Sequence, residues 1–166
     1  YNPPGKRMPY NTTITSTVCP SKSMFRTSPW FNGLKVRFQS AVYAFRASHY
    51  FTAQGSKEVY FLDDTFFVWK KRDIEICQQI IKRGLDITWI ANARVSMIDK
   101  EMMQLAYDAG CHTIKFGIES GVQEILDRMN KGYKVEQAYQ VFEWIHEVGI
   151  HAHAHVMLGN PGDSAE

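Results

Sequence analysis

Short apolar segments alternate with helical patterns along most of the chain, and this alternation most restricts the folds open to it. Four predicted strands begin at residues 58, 86, 112 and 150. Their apolar runs stop at polar residues, which is typical of buried parallel strands. Such strands need right-handed crossovers, so helices should cover the sheet. With a further β-prone run over residues 14–18, the sequence predicts an α/β fold with five parallel strands.

The length of 166 residues helps to choose among parallel α/β folds. An eight-stranded barrel takes about 250 residues, so we expect a partial TIM-like (β/α) barrel, truncated after about five strands. An open doubly wound sheet is the alternative, although no Gly-x-Gly-x-x-Gly motif opens a helix. Residues 1–13 hold three prolines and are predicted to be a linker or arm. The barrel fragment would occupy residues 14–166, with its C-terminal strands absent.

The composition excludes several classes of protein. The formal net charge of +2 gives no argument for nucleic-acid binding. No apolar run approaches the roughly 20 residues that span a bilayer. The three cysteines are too few and too widely spaced for a disulfide framework, so we expect a reducing, cytoplasmic location.

Amphipathic patterns and caps predict the helices between these strands. Ser40 should cap a helix to about residue 52, with Ala41, Ala44, Phe45 and Ser48 on one face. A second helix should cover about 70–83, and Asp99 should cap a third. A capping box of Ser120 and Gln123 predicts a fourth helix. The fifth is expected to bury a stripe of apolar residues that comprises Val135, Ala138, Tyr139, Phe142 and Ile145.

Polar residues follow four of the predicted strands and should meet at one edge of the sheet. Carboxylates there accept hydrogen bonds from hydroxyl and ammonium groups, and an arginine can grip a carboxylate with two bonds. Together these groups suit a zwitterionic ligand that carries a sugar. The alternatives are that Asp64 or Thr65 only caps a turn and that Arg94 only pairs with a neighbouring carboxylate. The strand ends are Asp63–Asp64, Asn92–Arg94, Glu119–Ser120 and the turn 159–164.

Five motifs, taken in order, resemble the radical SAM superfamily, and most closely its subgroup that often carries a cobalamin-binding domain. They are Phe-Leu-Asp-Asp-Thr-Phe, Ala-Asn-Ala-Arg, Phe-Gly-Ile-Glu-Ser-Gly, Ile-Leu-Asp-Arg-Met-Asn-Lys-Gly and Gly-Asn-Pro-Gly-Asp. The resemblance is dense over residues 57–162. It implies a partial barrel that binds S-adenosylmethionine and a [4Fe–4S] cluster, and that cleaves the cofactor reductively to a 5′-deoxyadenosyl radical.

The resemblance also implies a role for each strand end. Asp63 and Asp64 would lie near the methionine amino group, Arg94 near the carboxylate and Glu119 near the ribose. A turn that includes Gly159, Pro161 and Gly162 would flank the adenine, with Asn92 and Ser120 as further cofactor-binding residues. The implied partners are a small-molecule substrate and an electron donor such as flavodoxin or ferredoxin, and cobalamin through a preceding domain.

The sequence departs from this family at the loop that holds the cluster. The family pattern Cys-x3-Cys-x2-Cys falls on Cys19, Ser23 and Arg26. Thiolates are the normal cluster ligands, whereas an arginine guanidinium is cationic and offers no lone pair. Cys77 and Cys111 are expected to be core residues away from Cys19.

Two further functions therefore stand beside a radical SAM enzyme. The first is a non-catalytic barrel that lacks the cluster ligands, so that methyl transfer or ring formation of the family type would be lost. The second is a barrel hydrolase that uses a metal ion on the last strand. His151, His153 and His155 alternate there and share one face, but the outer two would be roughly 13 Å apart, too far to share an ion.

Overall fold

The computed structural model describes residues 6–18, 20, 33 and 35–160. Five strands form one sheet, and a two-stranded pair lies beside it. The strands are β1 (Tyr10–Thr13), β2 (Ser16–Thr17), β3 (Arg37–Phe38), β4 (Glu58–Phe61), β5 (Thr88–Ala93), β6 (Cys111–Glu119) and β7 (His151–Val156).

The large sheet has the order β1-β4-β5-β6-β7, and every neighbouring pair in it is parallel. The predicted α/β fold with five parallel strands is thus confirmed. Because all five strands run in the same direction, their carboxyl ends lie together at one end of the sheet. Within the described residues the sheet stays open, with β1 and β7 at its edges.

The first strand lies earlier than the sequence suggested. We expected it over residues 14–18, but the strand that joins the sheet is β1, which lies inside the predicted linker. Residues 16 and 17 form β2 instead and pair antiparallel with β3. Residues 14–18 have a β-prone composition, but residues 10–13 are the ones that pair with β4. Composition alone therefore placed the strand too late in the chain.

In the described part of the chain, five α-helices connect the strands and cover the sheet, and a short 3-10 helix spans Val95–Met97. Ser40 caps the first helix through its hydroxyl group, and Asp99 caps the third through its carboxylate, both as predicted. The residues buried on the first helix are the four that the sequence indicated. The helices are α1 (Ala41–Ala53), α2 (Lys70–Lys82), α3 (Lys100–Asp108), α4 (Gln123–Arg128) and α5 (Val135–Val148).

The predictions for α4 and α5 need correction. Ser120 does not cap α4; its hydroxyl accepts a hydrogen bond from the Val122 amide, and Val122 precedes the helix without a side-chain cap. On α5 the buried residues are Val141, Ile145 and Val148, whereas Tyr139 is 67% exposed. The other predicted residues, Val135, Ala138 and Phe142, are partly buried against the core.

The core lies between the sheet and the helices and is rich in aromatic side chains. Phe61, Phe66 and Trp89 are each at most 1% exposed, and their ring centroids lie 4.8–5.5 Å apart. Aromatic pairs at these separations add to the stability gained by burial. None of the described helices is long and apolar enough to cross a membrane.

Candidate functional site

A cavity of about 250 Å³ lies where the carboxyl ends of β4, β5 and β6 meet, and we call it the rim cavity. Side chains of both charges surround it, which suits a ligand that is itself zwitterionic. Its lining comprises Asp64, Thr65, Asn92, Ala93, Arg94, Lys115, Gly117, Glu119, Lys131 and His155.

Four of the predicted site residues meet at the rim cavity, namely Asp64, Asn92, Arg94 and Glu119. Three others do not line it. Asp63 is turned into the protein, Ser120 lines a separate apolar groove beside α5, and Gly159 lies in the turn after β7. Pro161 and Gly162 lie outside the described residues, as do Cys19, Ser23 and Arg26.

Asp63 is fully buried and binds the chain just before the predicted cluster loop. One carboxylate oxygen accepts a hydrogen bond from the Thr15 amide at 2.6 Å, and the other accepts from the hydroxyls of Thr15 and Ser16, both at 2.7 Å. The expected position of Asp63 in a shared cavity with Arg94 and Glu119 is therefore wrong. Of the two adjacent aspartates, Asp64 is the one at the cavity.

Asn92 is held in the cavity wall by its neighbours on both sides. Its amide nitrogen donates to the Asp63 carbonyl at 2.8 Å, and its amide oxygen accepts from the Tyr60 hydroxyl at 3.3 Å. The Lys115 ammonium lies 4.5 Å from the centroid of the Tyr60 ring, a cation–π contact. These contacts place one amide and one cation along the same wall.

Arg94 and Glu119 are linked through Lys131, which sequence reasoning did not select. Arg94 Nη2 donates to the Lys131 carbonyl at 2.5 Å, and Lys131 Nζ lies 3.1 Å from Oε1 of Glu119.

Burial, together with the nearby Glu119 carboxylate, raises the pKa of Tyr133 to about 12. The Tyr133 hydroxyl therefore stays protonated and donates to the Ile118 carbonyl at 2.8 Å.

Some of the cavity residues that the sequence analysis did not select could have been found from the sequence, and one could not. Lys115 and Gly117 alternate with Glu119 along β6, so the period-two pattern of a strand would have placed them beside it. Lys131 has no comparable signal. It lies in the turn after α4, where Asn130 and Gly132 both adopt positive φ angles of 54° and 71°, and only the tertiary fold brings it to the cavity.

The cysteines and histidines elsewhere do not form a metal site among the described residues. Cys77 and Cys111 are free and at most 1% exposed, as predicted, and burial raises the pKa of both thiols. On β7, His153 and His155 stack with ring centroids 4.7 Å apart.

Comparison of the sequence with known families identifies the family of the chain. The sequence model of the radical SAM superfamily matches residues 19–166, which is most of the chain. The chain belongs to the radical SAM superfamily.

Curated relatives of this superfamily member are considerably longer. An uncharacterized methyltransferase of Pyrococcus horikoshii is 34% identical over 96% of the chain, which spans 35% of that relative. The bacteriochlorophyllide d C-12(1)-methyltransferase of Chlorobaculum tepidum is 28% identical over 91% of the chain and 34% of its own length. The chain thus spans about a third of these proteins.

Solved structures share the fold. The radical S-adenosylmethionine methyltransferase TsrM of Kitasatospora setae, solved with cobalamin and a [4Fe–4S] cluster, superposes with a TM-score of 0.85 at 17% identity. The match covers 93% of this chain and 32% of TsrM. The cobalamin-dependent radical enzyme OxsB gives a TM-score of 0.78 at 22% identity, over 87% of this chain and 23% of OxsB. At these identities the likeness supports the partial-barrel fold alone.

The residues of this chain do not fit the cluster that such structures contain. Of the three positions that the family pattern assigns to cluster ligands, only residue 19 is a cysteine, and the others are Ser23 and Arg26. Cys77 and Cys111 cannot replace them, since both are locked in the core with thiols whose pKa is raised by burial. The donor set of the chain thus lacks two of the three thiolates.

Proposed function

We propose that the rim cavity binds S-adenosylmethionine and that this chain does not cleave it reductively. The observation that supports binding is the convergence of Asp64, Arg94, Glu119 and Lys131 on one cavity at the carboxyl ends of the strands. In parallel α/β folds ligands bind at this edge. Failure to cleave follows from the missing thiolates at two ligand positions.

The charges of the cavity suit the charges of this ligand. The amino group and sulfonium of the ligand are cationic and match Asp64, while its carboxylate matches Lys115 and Arg94. The ribose offers two hydroxyl donors, and Glu119 is a carboxylate acceptor within the same cavity. When bound, the ligand would bring an activated sulfonium group, and the cavity residues would bind and orient it.

Calorimetric titration of the purified chain with S-adenosylmethionine tests the binding. The variants Asp64→Asn and Glu119→Gln should each lower the affinity by on the order of tenfold, because each removes a charge-assisted contact. Glu136→Gln is the matched control, since Glu136 is exposed on α5 and far from the cavity lining. Absence of binding to the unaltered chain, or equal affinities in all variants, would contradict the proposal.

Methyl transfer by a longer protein that contains this chain is the second candidate. Its support is that relatives over most of this chain carry methyltransferase names. Anaerobic reconstitution with iron and sulfide distinguishes the two. We expect substoichiometric iron and no 5′-deoxyadenosine from the chain as it stands, and a full cluster in the double variant Ser23→Cys/Arg26→Cys. A full cluster in the unaltered chain would favour the second candidate.

A further inference from the structure

Lys131 is a buried lysine at the rim cavity, and it forms an ion pair with Glu119. Its side chain is 5% exposed, and its ammonium lies 3.1 Å from Oε1 of Glu119, whose side chain is 11% exposed. Lysines are rarely buried without a partner carboxylate. The two residues come from different elements, since Glu119 ends β6 and Lys131 lies in the turn between α4 and α5.

The Glu119 carboxylate is confined to one position. Its backbone has a φ of +69°, which a residue with a side chain rarely adopts and which often marks a functional site. The carboxylate occupies space left by Gly117, because a Cβ atom at that position would lie 2.6 Å from Oε1 and 3.5 Å from Lys131 Nζ. An absent side chain at residue 117 therefore makes the ion pair sterically possible.

The turn that carries Lys131 is fixed from two sides. Its carbonyl accepts the 2.5 Å hydrogen bond from Arg94, at the end of β5, and its amide donates to the Leu126 carbonyl at 3.0 Å. Arg94 thus holds the backbone of Lys131, and Lys131 holds the carboxylate of Glu119. Such preorganisation lowers the entropic cost of binding a ligand.

One oxygen of the carboxylate is left for a ligand. Oε1 of Glu119 is bonded to Lys131, while Oε2 accepts no hydrogen bond from the described residues. We propose that Lys131 is a positioning residue, which holds Oε1 so that Oε2 accepts hydrogen bonds from the vicinal hydroxyls of the bound ligand. This inference rests on the proposed function, because it requires a ribose-bearing ligand in the rim cavity.

The test compares ligands that differ only in those hydroxyls. S-adenosylhomocysteine and its 2′-deoxy and 3′-deoxy analogues are titrated into the unaltered chain and into Lys131→Met, Lys131→Arg and Lys134→Met. We expect the unaltered chain to prefer the intact ribose by on the order of tenfold. Lys131→Met should reduce that preference to less than about threefold and Lys131→Arg should restore part of it. Lys134→Met, a lysine three residues away and 64% exposed, should leave it unchanged.

A second variant separates positioning from stability. Lys131→Met leaves a buried carboxylate without its cation, so its melting temperature should fall. The double variant Lys131→Met/Glu119→Gln should recover the melting temperature but not the ribose preference. An unaltered chain that binds none of the ligands overturns the proposed function. Binding with the same preference in Lys131→Met overturns the role of Lys131 alone, as does a loss that is equal for all three ligands.

Discussion

The clearest prediction concerns Asp73, a carboxylate in the first turn of α2 that is 0% exposed. One oxygen accepts a hydrogen bond from Arg72 at 3.0 Å, and the other accepts none from the described residues. Burial raises the pKa of Asp73 from the usual 3.8 to about 7, despite the opposing charge of Arg72, and the nearby Asp63 adds to the rise. Arg72 thus pairs with Asp73, while Asp63 accepts its hydrogen bonds from Thr15 and Ser16.

The sign of the pH effect follows from this rise. Below pH 3.8 the Asp73 carboxyl is protonated in both the folded and the unfolded chain. Between pH 3.8 and about 7 the folded chain retains a proton that the unfolded chain has lost, so the free energy of unfolding falls as the pH rises. At 1.36 kcal/mol per pH unit, the loss between these limits is at most about 4 kcal/mol.

Urea denaturation of the unaltered chain and of Asp73→Asn, at intervals from pH 4 to pH 8, measures this effect. The amide keeps an acceptor for Arg72 but does not titrate, so any fixed cost of the substitution cancels when the pH is varied. The unaltered chain should lose about 2–4 kcal/mol relative to the variant over this range. Glu75→Gln, an exposed position on the same helix, is the control. A difference between the chain and Asp73→Asn that does not change with pH would refute the reasoning.

Two further predictions concern neighbouring residues. Asp63→Ala should lower the free energy of unfolding by at least about 3 kcal/mol, because three buried donors lose their charged acceptor; a loss under 1 kcal/mol in urea denaturation would contradict this. Gly117→Ala should lower the melting temperature and weaken S-adenosylmethionine binding severalfold. The added Cβ would lie 2.6 Å from Oε1 of Glu119 and would displace that oxygen from Lys131; unchanged affinity would argue against the confinement of Glu119.

The sequence predicted the buried residues of a helix well where the helix has a single apolar face. On α1 the buried face was predicted residue by residue, because a helix that packs on a sheet needs a single apolar side. On α5 the same reasoning failed at Tyr139, which is 67% exposed although Ala138 and Phe142 on the same stripe pack against the core. Periodicity identifies an apolar side but does not say how far the packed surface extends across it.

In the candidate site too, some residues could be predicted from the sequence and others could not. Asp64, Asn92, Arg94 and Glu119 were found because strand ends in a parallel sheet must lie side by side. The two aspartates after β4 could not be told apart in advance, since their orientations depend on what the segment before the cluster loop offers. Lys131 depended on a turn with two positive φ angles, and local propensity gives little guidance there.

The base of the predicted cluster loop bears on our proposal that this chain binds S-adenosylmethionine without cleaving it. Residues 15–17 and 37–39 form what we call the loop neck, which β2 and β3 close by pairing. Arg72 bonds to both sides of the loop neck, because it donates to the Thr15 hydroxyl at 2.5 Å and to the Gln39 carbonyl at 2.8 Å. The Asp63 carboxylate accepts a hydrogen bond from the Thr15 amide.

None of these bonds involves a cysteine. The neck is closed by a buried aspartate and a buried arginine, and the aspartate directly precedes Asp64, which lines the rim cavity. The hydrogen bonds that close the neck come from Thr15, Gln39, Asp63 and Arg72, so none of these bonds depends on the residue type at positions 23 and 26. On this basis a chain that has lost two cluster ligands retains the residues that we expect to bind S-adenosylmethionine.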